Sequence, residues 1–139
     1  MSARPILRFA RVREAAAIHA LLWTARDDIP LRDTFILPDR IEWVRKECRR
    51  RQFWVIEIDG EIAGVMRLDA NEVFYLVTAD AYRRRGVAAM LITYAKKRRP
   101  TLTAKTKATN RRTAALLDKE GFCFRWEDTD RWLHFEWRR

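Results

Sequence analysis

Apolar residues recur along this chain in two rhythms, one near 3.6 and one of two. Between Arg13 and Ala25 they fall three and four apart, with Ile18, Leu21, Leu22 and Ala25 on one stripe, which predicts an amphipathic helix. Ile6-Leu7-Arg8-Phe9 before it reads as a short first strand, and Pro30 closes the region after it. A second helix is predicted from Pro38-Asp39, where proline suits the first turn. It carries Ile41, Val44 and Cys48 inward and ends on Arg49-Arg50-Arg51, whose charges complement a helix C-terminus. The runs Phe53 to Ile58 and Glu61 to Leu68 flank Asp59-Gly60, a pair that accepts the positive φ angles of a two-residue turn, and so predict a β-hairpin. Val73 to Val77 gives the next strand and Ala88 to Lys96 a long helix that Pro100 stops. Leu102 to Thr106 returns to strand, Asn110 caps a helix ending at Gly121, and Phe122 to Trp126 with Trp132 to Trp137 form a closing antiparallel pair. The order β-α-α-β-β-β-α-β-α-β-β predicts an α/β protein with a mixed sheet and helices on both faces.

A chain of 139 residues with 48% apolar content is long enough for one core and too short for two, so residues 1–139 are expected to form a single domain. The start Met1-Ser2-Ala3-Arg4-Pro5 has no apolar signal region, and the longest apolar stretch, Ala15 to Trp23, is broken by His19 and too short to span a bilayer. A soluble cytoplasmic protein without membrane attachment is expected. Cys48 and Cys123 show no metal-ligand spacing with each other or with His19 and His134, so no metal is expected and both cysteines are read as buried free thiols. The six tryptophans read as core or interface material.

Charge changes the picture through its placement. The net charge is +10, and residues 82 to 112 hold eleven of the 29 basic residues with no Asp or Glu. Such a concentrated positive region attracts an anionic partner, either a polyphosphorylated small molecule or a nucleic acid. Aromatic residues interleaved with the basic ones would favour single-stranded nucleic acid, and within residues 83 to 112 Tyr94 alone qualifies, which argues against it.

Within that region Val73-Phe74-Tyr75-Leu76-Val77 leads through Tyr82-Arg83-Arg84-Arg85-Gly86-Val87-Ala88 into the long helix. A strand turning through a basic, glycine-bearing loop into a helix start aims free backbone N–H groups at one point, as a phosphate requires. Neither Gly-x-x-x-x-Gly-Lys-Ser/Thr nor Gly-x-Gly-x-x-Gly is present. Arg83, Gly86 and Ala88 instead resemble the Arg/Gln-x-x-Gly-x-Gly/Ala signature of the GNAT superfamily of acyl-CoA-dependent N-acetyltransferases. Downstream, Asn110-Arg111-Arg112-Thr113-Ala114-Ala115-Leu116-Leu117-Asp118-Lys119-Glu120-Gly121-Phe122 is similar to that family's Asn-x-x-Ala-x-x-Leu-Tyr-x-Lys-x-Gly-Phe segment. The predicted element order is also the family's.

The resemblance implies acetyl-CoA as the acyl donor, with Arg83, Arg84, Arg85, Gly86, Val87 and Ala88 around its diphosphate. Backbone groups of Leu76, Val77 and Thr78, together with Asn110, would hold its pantetheine in a gap between the strands near 73–78 and 102–106. It further implies direct attack by a primary amine of a small molecule or peptide. Glu72 occupies a position at which many members place a glutamate that takes the ammonium proton, with Asp69 as second choice, and a backbone N–H near Leu76 or Val77 would polarise the carbonyl. Leu117 stands where the family's proton-donating tyrosine is common and cannot donate, which leaves water, Tyr75 or Tyr94. His134 alternates with Leu133 and Phe135 and faces either the acceptor cleft or solvent.

The resemblance puts the acceptor between residues 24 to 43 and 127 to 131. Asp27, Asp28, Asp33, Asp39, Glu42, Glu127, Asp128 and Asp130 there outnumber Arg26, Arg32, Arg40 and Arg131, so a cationic amine is expected. Two alternatives share the fold: a non-catalytic CoA sensor, which Leu117 would suit, and an RNA- or ribosome-binding protein. The closing aromatic strands would pair across a homodimer.

Overall fold

The computed structural model describes residues 4–28 and 40–139. Pro30, Asp33 and the helix start expected at Pro38-Asp39 lie outside the described residues. The element order is β1 (Ile6–Phe9), α1 (Ala15–Thr24), α2 (Ile41–Arg49), β2 (Phe53–Ile58), β3 (Glu61–Asp69), β4 (Glu72–Thr78), α3 (Val87–Arg98), β5 (Thr101–Lys107), α4 (Arg111–Lys119), β6 (Cys123–Glu127) and β7 (Trp132–Arg138). It matches the order read from the pattern. The start of the first predicted helix is instead a 3-10 turn over Val12–Glu14.

Seven strands form one sheet in the order β1-β2-β3-β4-β5-β7-β6, antiparallel except where β4 meets β5. The strands alternate, so each face builds its own core. Trp54, Ile56, Met66, Val73, Leu102 and Phe135 pack beneath α3 and α4 with Leu91, Ile92 and Leu117. Phe53, Val55, Val65 and Val77 meet Ile18, Leu22 and Val44 of α1 and α2 on the other side. Asp59 and Gly60 turn the β2–β3 hairpin with φ of 54° and 77°, both in the left-handed region a tight turn requires.

Glu47 of α2 is buried and pairs at 3.3 Å with Arg67 of β3. One expectation fails, that both cysteines are buried. Cys48 is buried, and burial pushes its thiol up to about 11, but Cys123 is exposed. It lies on β6, an edge strand exposed along its whole length, where Phe124 and Trp126 are 55% and 56% exposed. Trp126 and, on α1, Trp23 lie at the surface.

Candidate active site

The phosphate-loop candidate begins where β4 ends. A 3-10 turn over Asp80–Tyr82 leads to Arg84 and Gly86, whose φ angles of 66° and 74° are left-handed. Left-handed residues in such a turn make the backbone amides converge into an anion-binding concavity. Gly86 caps α3, and its carbonyl accepts the Met90 N–H at 2.9 Å, while the N–H groups of the first turn have no partner inside the helix. A Cβ added at Gly86 would meet nothing within 4 Å, so the loop is open there. Its arginines divide: Arg83 is tied to Asp80 at 2.7 Å, Arg85 lies over the Tyr82 ring at 5.3 Å, and Arg84 pairs with no carboxylate among the described residues. Gly64 of β3 lets this helix start sit close, because a Cβ there would lie 2.5 Å from Val87 Cγ1 and 3.2 Å from the Val77 carbonyl.

β4 itself is broken. Its register with β3 shifts between Val65↔Val77 and Arg67↔Phe74, leaving Tyr75 and Leu76 as a bulge. Tyr75 has φ 52°, a rare conformation for so bulky a residue, held by packing at ring separations of 6.3 Å from Trp43 and 5.6 Å from Phe74. Pairing with β5 is confined to Glu72↔Thr103 and Val73↔Ala104. Beyond Val73 the two parallel strands diverge, and the facing edge of β4 carries unpaired backbone.

A cleft of about 560 Å³ fills the divergence. Val73 to Thr78 line one wall and Ala104, Lys105 and Thr106 the other. Arg83, Arg84, Gly86, Val87, Ala88 and Asn110 meet at the α3–α4 side, with Leu117 beneath them. Asn110, which lines the cleft, also caps α4, its side-chain oxygen accepting the Thr113 N–H at 3.3 Å. Ala25, Asp28 and Trp132 line the opposite end, so the cleft passes through the sheet.

Of the residues expected at the site, Arg85, turned onto Tyr82, does not line the cleft, nor do Glu72, Asp69, Tyr94 and His134. Glu72 opens β4 at the cleft's closed end and, with its neighbour Val73 in the α3-side core, projects to the α1–α2 face. Burial raises its carboxyl above the ordinary range, against the opposing pull of Lys105, His134 and Arg67. Tyr75 lines the cleft. Tyr94 does not: its ring packs 4.3 Å from Trp54 and lines a separate groove of about 370 Å³ with Leu7 and Thr93. His134 Nε2 lies 2.9 Å from Asp128 Oδ2, and its ring stacks on Trp126 at 4.5 Å. Asp128 Oδ1 accepts the N–H of Asp130 and of Trp132, fixing the β6–β7 turn, and the bond to His134 holds this carboxyl below its usual range.

Lys105, Trp132, Arg112 and Lys119 also line the cleft and were not singled out from sequence. A signal existed for the first: in the alternating strand Thr101–Lys107, Lys105 and Lys107 occupy the positions opposite the apolar set.

An acetyltransferase (GNAT) domain profile matches residues 44–123, and the chain belongs to that family. No curated protein sequence matches it. Solved structures with the same fold include the PaiA N-acetyltransferase of Thermoplasma acidophilum in complex with coenzyme A, at TM-score 0.80 and 16% identity over 98% of this chain and 99% of that one. A GNAT acetyltransferase of Bacillus cereus aligns at TM-score 0.77 and 14% identity over 98% of each chain. The ribosomal-protein-alanine N-acetyltransferase of Brucella melitensis aligns at TM-score 0.74 and 20% identity over 96% and 99%. Among the described residues no helix is long and apolar enough to cross a membrane.

Proposed function

We propose that the chain is a cytoplasmic acetyl-CoA-dependent N-acetyltransferase, one catalytic unit over residues 1–139, that acts on a primary amine by direct attack. The observation that carries this reading is the strand-wide gap between β4 and β5, with the amides of the Gly86 turn at one end and unpaired β4 backbone along one side. An extended chain bearing a diphosphate fits it: the phosphates meet the Arg84–Ala88 turn and the α3 dipole, and the chain bonds β4 as an added strand. Arg83 and Arg84 lie at the phosphates, Arg85 contributes only long-range charge, and Leu76, Val77, Thr78 and Asn110 hold the arm.

Acetyl-CoA supplies the thioester carbonyl and a thiolate leaving group. Glu72 takes the proton of the incoming ammonium, directly or through one water. A carboxyl held above its ordinary range is a better base than an exposed one. The N–H of Leu76, freed by the bulge, stabilises the oxyanion as the amine nitrogen bonds to the acyl carbon and the carbon–sulfur bond breaks. Tyr75, the tyrosine that lines the cleft, gives its proton to the departing sulfur directly or through water, and regains the proton that the attacking nitrogen sheds as the amide forms.

Calorimetric titration with CoA and thiol release from acetyl-CoA with a panel of amines test this reading. Micromolar binding with amine-dependent release supports it, and an absence of CoA binding overturns it. Leu117 favours a second reading, a CoA sensor, which would bind and stabilise without turnover. The exposed edge of β6 supports a homodimer: antiparallel pairing centred on Trp126 sets Arg125 opposite Glu127 of the partner subunit, twice by symmetry.

A further inference from the structure

Of the six described acids expected to attract a cationic acceptor, three are engaged elsewhere and only Asp28 lines the cleft. Glu127 pairs with Arg131 at 2.8 Å, Asp128 binds His134 at 2.9 Å, and Glu42 pairs with Arg45. Asp33 and Asp39 lie outside the described residues. Lys105 remains inside the cleft.

It is half-buried, its ammonium lies 5.6 Å from the centre of the Trp132 ring, and it has no carboxylate partner among the described residues. Its neighbour Lys107 differs, because its ammonium is bound to the carbonyl of Asp27. Glu72 aligns with Thr103, two residues before Lys105 on the same face of β5. Strand geometry therefore puts the two backbones roughly 8 Å apart, close enough for both side-chain heads to reach one small molecule. The other groups on this face are His134, opposite Lys105 in register and bound to Asp128, and Arg67, bound to Glu47 and Asp69. Asp28 stands at the cleft's far end. A purely cationic acceptor would meet repulsion from Lys105 and Lys107. A molecule carrying an acid beside its amine would meet neither repulsion nor an unpaired charge.

We propose that the acceptor is an amino acid or a similarly small amino-carboxylate, with its amine toward Glu72 and its carboxylate on Lys105. The proposal rests on the transferase reading and deepens it. Lys105 thereby determines specificity, and the Trp132 ring beneath its ammonium holds the head in place.

The test compares matched acceptors with and without the acid: L-phenylalanine against phenethylamine, and L-lysine against cadaverine. The wild type is expected to favour the acid-bearing member of each pair by about tenfold or more in kcat/KM, the range of a charge-assisted hydrogen bond. Lys105→Met, which keeps an unbranched side chain of similar length without the charge, is expected to remove most of that preference through KM, and Lys105→Glu to invert it. Equal rates within each pair in the wild type, including no release from either member, overturn the proposal. So does a Lys105→Met loss of the same factor for both members. A wild type that binds no CoA in calorimetry overturns the transferase reading beneath it instead.

Discussion

Gly64 lies on a strand remote from the phosphate loop in sequence, yet it sets how closely α3 approaches the sheet. Gly64→Ala brings a Cβ to 2.5 Å from Val87 Cγ1 and 3.2 Å from a backbone oxygen. Overpacking of this kind costs about 1–3 kcal/mol. Replacing a strand glycine returns about 0.5–1 kcal/mol, so the net loss is about 1–2 kcal/mol. Val87→Ala alone empties two methyl positions at a residue 2% exposed, for about 2 kcal/mol. In the double variant the new methyl occupies the space the old ones left. The loss is then about 1–2 kcal/mol rather than the additive 3–4, a coupling near 2 kcal/mol. Urea unfolding of the four proteins measures the cycle, and CoA titration reads its functional arm, since a displaced first turn of α3 misdirects the phosphate amides. The single Gly64→Ala variant is expected to weaken CoA binding and the double to recover part of it. Losses additive within about 0.5 kcal/mol would refute the contact argument.

Glu72→Gln should lower kcat/KM by about a hundredfold or more and abolish the acidic limb of the pH profile, which in the wild type lies above the ordinary carboxylate position. The sign for stability is opposite: with its folded pKa raised, the wild type loses stability as pH rises through the window between the unfolded and folded values, so at neutral pH the Gln variant should resist urea better. Asn110→Ala removes the α4 cap and should cost about 1 kcal/mol in thermal or urea unfolding. Glu47→Ala leaves the buried Arg67 guanidinium with Asp69 as its remaining carboxylate and should cost about 3 kcal/mol, with Glu47→Gln milder. Trp126→Lys should abolish the proposed β6-paired dimer in sedimentation analysis, and a wild type that sediments as a monomer at tens of micromolar would defeat that interface.

What could be read ahead of the structure was local. The Asp59-Gly60 hairpin, the Asn110 cap and the Gly121 stop each depend on residues a few positions apart, and all three stand as read. The Tyr75 bulge was hidden, because no glycine or proline marks it and the left-handed residue is a tyrosine held by Trp43 from another element. Exposure of Cys123 was misjudged because it depends on β6 being last in the sheet, and burial of Glu47, on which the pattern is silent, depends on Arg67 twenty residues away. The loop 83–88 and Asn110, read as separate stretches, do meet at one cleft. Lys105 and Trp132 on its opposite side belong to no motif, and only the strand register brings them there.

In hydrogen-bonding terms the seven strands amount to two half-sheets fastened at one end by a two-position ladder, as the covers of a book are held at the spine. Such a seam leaves the open margin free to flex, and a strand-shaped guest would stitch it shut. Amide exchange at Leu76 to Thr78 and Lys105 to Lys107 should then slow when CoA alone is added. The acceptor would meet a finished wall only after the donor has built it, which makes donor-first ordered binding the natural kinetic scheme for this molecule.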